Sequence, residues 1–164
     1  MSHDQLFRLF VYGSLNRGFW NHEPFCGTAI AIEPATVRGR LYEFPSGIPV
    51  LEVPEGDIIA HGSADIAGDV SLQQRLIADA PEYAESDHAV WRQISGELIT
   101  LPSPVVTVPP IDRLEGFHPD GASLYIRVLV PVKLSDERIT AAWCYVSSSR
   151  ILQRARATGE TMWP

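Results

Sequence analysis

LFRLFVYGSLNRGFWNH (residues 6–22) sets seven mostly apolar, β-prone residues ahead of a sharp glycine turn. Leu6 to Tyr12 is apolar nearly throughout, the pattern of a strand buried on both faces, so it reads as central in a sheet. The turn that follows admits two readings. One is an ordinary tight turn in which Ser14 bonds its own backbone. In the other, the successive N–H groups of Gly13, Ser14 and Leu15 form a concave nest for an anion such as a carboxylate. The turn lacks both GxxxxGK[ST] and GxGxxG, so neither nucleotide reading is supported.

Moving outward, RGFWNHEPF predicts a short helical turn before Pro24, and strand character follows around Thr36 to Phe44. GIPVLEVPEG (residues 47–56) gives another short strand. Residues 57–93 change texture to an acidic, Ala-rich stretch ordered around one helix. Asp69 or Ser71 would cap it, Val70, Leu72, Leu76 and Ile77 would form its apolar stripe, and Pro81 would end it. It reads as an insertion hung on a β core.

ISGELITL (94–101) resumes as a strand, and VPPIDRLEG (108–116) reads as a short helix with prolines at its start and Gly116 just past its end. Two strong strands, SLYIRVLVPVKL and ITAAWCYVSS, are joined by the turn SDER as a hairpin. The tail predicts an amphipathic helix burying Ile151, Leu152 and Ala155. Mostly strands with a few short helices favour an α+β domain with a closed or strongly curved sheet over βαβ winding.

At 164 residues, 45% hydrophobic and 20% charged, the chain suits one core, so residues 1–164 read as a single domain. A formal net charge of -7 with no basic stripe disfavours nucleic acid or an anionic membrane surface as partner. No apolar run is long enough to span a bilayer, and the N-terminus lacks the pattern of a secretory signal. Two cysteines, Cys26 and Cys144, imply no disulfide framework, and a reducing cytoplasm is the simpler compartment. His3, His22, His61, His88 and His118 show no metal-ligand spacing. There is no GxSxG elbow, although a spatially assembled triad stays open.

Glu115 is the candidate for chemistry. In the last helical turn beside Leu114 and Phe117 it meets the negative end of the helix dipole and apolar neighbours, both of which disfavour ionisation. That suits a general acid/base; the alternative is a glutamate pointing to solvent from a frayed turn. Asp112 is its local competitor, expected nearer the helix start where a carboxylate is comfortably charged. Tyr125 and Arg127 share one face of their strand, and Trp143 and Tyr145 one face of theirs. Cross-strand core pairing accounts for these residues; a tyrosine on a pocket wall is the competing reading.

FVYGSLNRGFWNH, IDRLEGF, LYIRVLVPV and AWCYV occur in the order seen in the γ-glutamylcyclotransferase-like superfamily. The sequence most resembles the γ-glutamylamine cyclotransferase and AIG2-like branch, with residues of about 45 to 95 fitting poorly. The resemblance implies a small mixed β-barrel with short flanking helices and a cavity for a γ-glutamyl head group. It implies Glu115 as catalytic residue, with Tyr12, Gly13, Ser14, Leu15, Tyr125 and Tyr145 binding substrate. It further implies cyclisation of a γ-glutamyl amine or small γ-glutamyl peptide to 5-oxoproline, with no metal or other cofactor, by a monomer or homodimer. A carboxylate-binding or regulatory module without turnover is the alternative.

Overall fold

The computed structural model describes residues 5–77 and 91–163. The strand predicted around the opening motif is β1, Phe7–Val11, and its two faces feed two different cores. Phe7, Leu9 and Val11 join one cluster, and Phe10 and Tyr12 the other. The partners of β1 explain why. It runs antiparallel to β5 (Arg92–Leu101) and parallel to β7 (Ile139–Ser147), so no edge of it meets solvent.

From there the sheet closes. The 13-residue β2 (Ala31–Glu43) pairs with β5, while β6 (Tyr125–Leu134) forms the hairpin with β7. Ala35 and Thr36 of β2 then pair with Leu134 and Lys133 of β6, completing a mixed five-stranded barrel in the order β2-β5-β1-β7-β6. Side chains alternate across each strand. On β7, Ala142, Cys144 and Val146 belong with Phe10, Val37, Leu98 and Val130 in one core; Ala141, Trp143 and Tyr145 belong to the other. Burial on both faces is the reason these strands carry continuous apolar sequence.

Three short strands extend the barrel: β3 (Pro49–Glu52) and β8 (Arg156–Ala157) on β2, and β4 (Ala60–His61) on β6. The short helices are α1 (His22–Cys26), α2 (Ile66–Arg75), α3 (Pro104–Glu115) and α4 (Ser149–Leu152). Val108 and Ile111 of α3 and Ile66 and Val70 of α2 complete the outer core over β1 and β7. Among the described residues no helix is long and apolar enough to cross a membrane.

Several elements differ from the sequence expectation. Helix α1 contains Pro24 within its first turn instead of ending before it. The stretch 57–93 is not merely an appendage, because β4 joins the sheet and α2 packs on the outer core. The cap of α2 is Asp65, which accepts from the Gly68 amide, and Asp69 is a buried residue inside the helix. The stop assigned to Pro81 lies outside the described residues. Helix α3 begins at Pro104, so Pro109 and Pro110 lie inside it. Its C-terminus is as expected, with Gly116 at φ 67° in the left-handed region. The tail helix is a single turn before the polypeptide returns to pair as β8.

Candidate active site

Starting α3 at Pro104 changes the electrostatics of its last turn, because Asp112 and Glu115 now share that turn and, three residues apart, one face. Asp112 lies not near the helix start, as expected, but in this last turn, and partners from two strands hold it there. Its Oδ1 accepts from Arg127 Nε at 2.9 Å and from the Tyr145 hydroxyl at 2.5 Å, and its Oδ2 accepts from Arg127 Nη2 at 3.3 Å. Arg127 is fully buried and also bonds Asp69 Oδ2 at 2.9 Å and the Ser63 carbonyl at 3.1 Å. Its guanidinium carbon lies 5.0 Å, 5.2 Å and 5.7 Å from the ring centroids of Phe117, Trp143 and Phe7. A cation this desolvated needs its carboxylates, and they in turn fix α2, α3 and β7 relative to β6.

Glu115 has different surroundings. Burial raises its carboxyl from 4.5 to about 7, and no cation of the described residues counteracts that rise. The group is therefore poised between its charged and neutral forms at neutral pH.

The turn after β1 lies opposite. Its carbonyls are occupied: Gly13 O accepts from Asn16 N at 3.0 Å, Ser14 O from Asn21 N at 3.2 Å, and Leu15 O from buried His22 Nδ1 at 2.9 Å. Ser14 Oγ accepts from Asn21 Nδ2 at 2.8 Å, so it is engaged with the following segment and not with its own backbone. Among the described residues none accepts from the N–H groups of Gly13, Ser14 or Leu15.

A cavity of about 60 Å³ is lined by Tyr12, Gly13, Ser14, Leu15, Glu115, Tyr125 and Tyr145, together with Phe10, Val11, Ile48 and Pro49. All seven residues singled out from the sequence thus border one hollow. The tyrosines are held in place. Tyr12 OH donates to the Tyr145 carbonyl at 2.7 Å and accepts from Leu51 N at 3.2 Å, and Tyr125 OH donates to the Pro49 carbonyl at 2.9 Å. Burial raises all three hydroxyls above the ordinary tyrosine range, so each is neutral at physiological pH.

Other chemistries find less support. Cys26 and Cys144 are free and buried, and burial pushes the Cys26 thiol up to about 12, the opposite of an activated nucleophile. Among the described residues no group of three or more His, Cys, Asp and Glu side chains converges to hold a metal. Sequence reasoning missed the polar scaffold: it reads Arg127 only as a strand-face residue, Asp69 as a helix cap, Asp112 as the local competitor of Glu115 and His22 as one of five scattered histidines. The available signal was the arginine between Ile126 and Val128 on a strand expected to be buried, which demands carboxylate partners.

The family model described as "Gamma-glutamyl cyclotransferase, AIG2-like" matches this protein over residues 9–76 and 70–163, so the poorly fitting middle is largely covered. MJ1514 of Methanocaldococcus jannaschii, a protein whose name assigns it provisionally to the gamma-glutamylcyclotransferases, is 28% identical over 137 residues, covering 84% of this chain and 81% of that protein. Two crystal structures share the fold, and at their low identity the fold alone. An AIG2-like protein of Mus musculus superposes with TM-score 0.51 at 16% identity over 97% of this chain and 88% of its own. YkqA of Bacillus subtilis gives 0.53 at 18% identity over 97% of this chain, which spans only 40% of YkqA. With the barrel, the hollow and the matched residues taken together, this chain belongs to the gamma-glutamyl cyclotransferase, AIG2-like family.

Proposed function

We propose that the protein is a γ-glutamyl cyclotransferase that converts a γ-glutamyl amine or small γ-glutamyl peptide to 5-oxoproline and a free amine. The observation that carries this reading is the pairing, within one small cavity, of a carboxyl with pKa about 7 and a turn whose amides have no described acceptor. The reaction is intramolecular, so the protein has to hold a folded conformer and move a proton.

In this mechanism the N–H groups of Gly13, Ser14 and Leu15 hold the substrate α-carboxylate. Glu115, ionised, takes a proton from the α-ammonium group. The freed amine attacks the γ-carbonyl carbon, forming the ring C–N bond, and the original γ-amide C–N bond breaks as Glu115 returns the proton to the departing nitrogen; the excess proton left on the ring nitrogen passes to the released amine, which departs in its ammonium form. Tyr12, Tyr125 and Tyr145 wall the head group, and the salt-bridged Asp112 orients Tyr145. Every step uses groups of this protein and the substrate alone. We place the enzyme in the cytoplasm as a monomer or homodimer, in keeping with two unpaired thiols.

The test is release of 5-oxoproline from a panel of γ-glutamyl amines and dipeptides, with the Glu115→Gln variant alongside. Product from the parent and at least about a hundredfold less from the variant is expected for loss of a general acid/base. No product from any member, or equal product from both proteins, refutes the mechanism.

A further inference from the structure

The hollow that would take the γ-glutamyl head opens into a much larger groove of about 620 Å³. The two share Ser14, Ile48, Pro49, Glu115 and Tyr125. A compound whose head fills the inner 60 Å³ therefore directs its amide substituent outward past Glu115 into this groove.

The groove has a distinct chemistry. Trp20, Ile48 and Leu124 are among the most exposed large apolar residues of the protein, at 68%, 51% and 62%, and all three line it. Single exposed apolar side chains are ordinary; their convergence on one concavity contiguous with a reaction site is not. The aromatic wall is also assembled in advance. Trp163 lies 5.8 Å from Trp20 in an edge arrangement and 5.0 Å from Phe19, and its Nε1 donates to the Gly47 carbonyl at 3.1 Å. Rings interlocked in this way lose little freedom when a ligand packs on them.

One cation, Arg154, lines the groove, and among the described residues no carboxylate pairs with it. A free carboxylate on the leaving group answers that charge. A second ammonium group there would be repelled by it.

We infer that this groove is the leaving-group subsite and that it selects a bulky apolar amino acid, above all an aromatic one, whose side chain packs on Trp20 and Trp163 while its carboxylate meets Arg154. The inference rests on the cyclotransferase reading for its chemistry but not for its binding, so the two are tested separately.

Binding is measured by calorimetry with γ-glutamyl-phenylalanine, γ-glutamyl-glycine and γ-glutamyl-phenethylamine on the Glu115→Gln protein, in which substrate persists. The phenylalanine compound is expected to bind at least about tenfold tighter than the glycine compound, the scale of discrimination that apolar pockets give. Adding Trp20→Ala, at an exposed position that folding tolerates, or Trp163→Ala shrinks that ratio to about threefold or less. Adding Arg154→Ala weakens γ-glutamyl-phenylalanine by about tenfold or less and leaves the phenethylamine compound unchanged. Equal affinity for the phenylalanine and glycine compounds overturns the inference, as does an Arg154→Ala effect of the same size on both aromatic ligands. Release of 5-oxoproline by the parent is assayed in parallel. Preference without product keeps the subsite and removes the cyclotransferase reading; product without preference does the reverse.

Discussion

Glu115→Gln is expected to abolish turnover and at the same time stabilise the fold at alkaline pH. The folded carboxyl has its pKa raised to about 7 by burial, against 4.5 in the unfolded protein. Because the folded value is the higher one, its stabilising contribution is fully present below pH 4.5 and is lost as pH rises through about 7. A displacement of that size corresponds to about 3 kcal/mol once the group is fully ionised. Glutamine has the same shape and never ionises, so the variant escapes this loss. An amide left without partners adds a penalty of its own, but that penalty does not vary with pH. The informative quantity is therefore the slope of the difference and not its absolute value. Between about pH 5.5 and pH 8.5 the stability of the variant relative to the parent should increase by about 2 kcal/mol, most of it gained before about pH 7.5. For a domain of this size that is about 4–8 °C in relative Tm. Thermal unfolding of both proteins, followed by far-UV circular dichroism at half-unit pH steps, measures it. A difference that stays flat to within about 1 °C over that range would show that the Glu115 carboxyl titrates as if solvated, and the argument for its role would fall.

The pH profile of kcat/KM in the parent should carry a limb that rises with pH through about 7, since the ionised Glu115 accepts the first proton; initial rates from pH 5.5 to 8.5 check it, and a limb near the ordinary glutamate value contradicts it. Gly13→Val puts a Cβ 2.9 Å from Pro49 Cγ at the cavity wall, so KM for any γ-glutamyl substrate should rise at least about tenfold, while α-helical and β-sheet content by circular dichroism is retained. Arg127→Met leaves Asp69 and Asp112 without their buried cation and should cost about 3–5 kcal/mol in urea unfolding; a loss under about 1 kcal/mol would mean the network is solvated. Tyr125→Phe removes only the bond to the Pro49 carbonyl, so about 1 kcal/mol of stability should go, again read from urea unfolding.

What the sequence made legible follows from period and turn chemistry. The apolar run of β1, the hairpin of β6 and β7 and the glycine after α3 are each set by local pattern, and each is where the pattern put it. The start of α3 was not legible. Prolines at 109 and 110 argue locally against helix before them, but burial of Val108 and Ile111 against the outer core outweighs two missing N–H donors. That error propagated to Asp112, whose partners are 15 and 33 residues away on strands and are invisible to local reasoning. The groove was illegible for a similar reason. Arg154 belongs to a tail that reads as an amphipathic helix and Trp163 lies beyond it, and only the return of the polypeptide along β2 brings the indole within reach of Gly47.

The parallel pairing of Phe10 with Cys144, and the bond from Tyr12 to the Tyr145 carbonyl across 133 residues, bear on how the protein is made. On a translating ribosome the strand that carries the Gly13 turn emerges well before β7 and lacks that neighbour until the long intervening stretch has been synthesised. Closing so long a loop is entropically demanding, and folds dominated by distant contacts acquire their structure slowly. A nascent or prematurely terminated polypeptide thus exposes an apolar segment with a vacant flank, the kind of surface that chaperones engage, and has no hollow in which to bind a substrate.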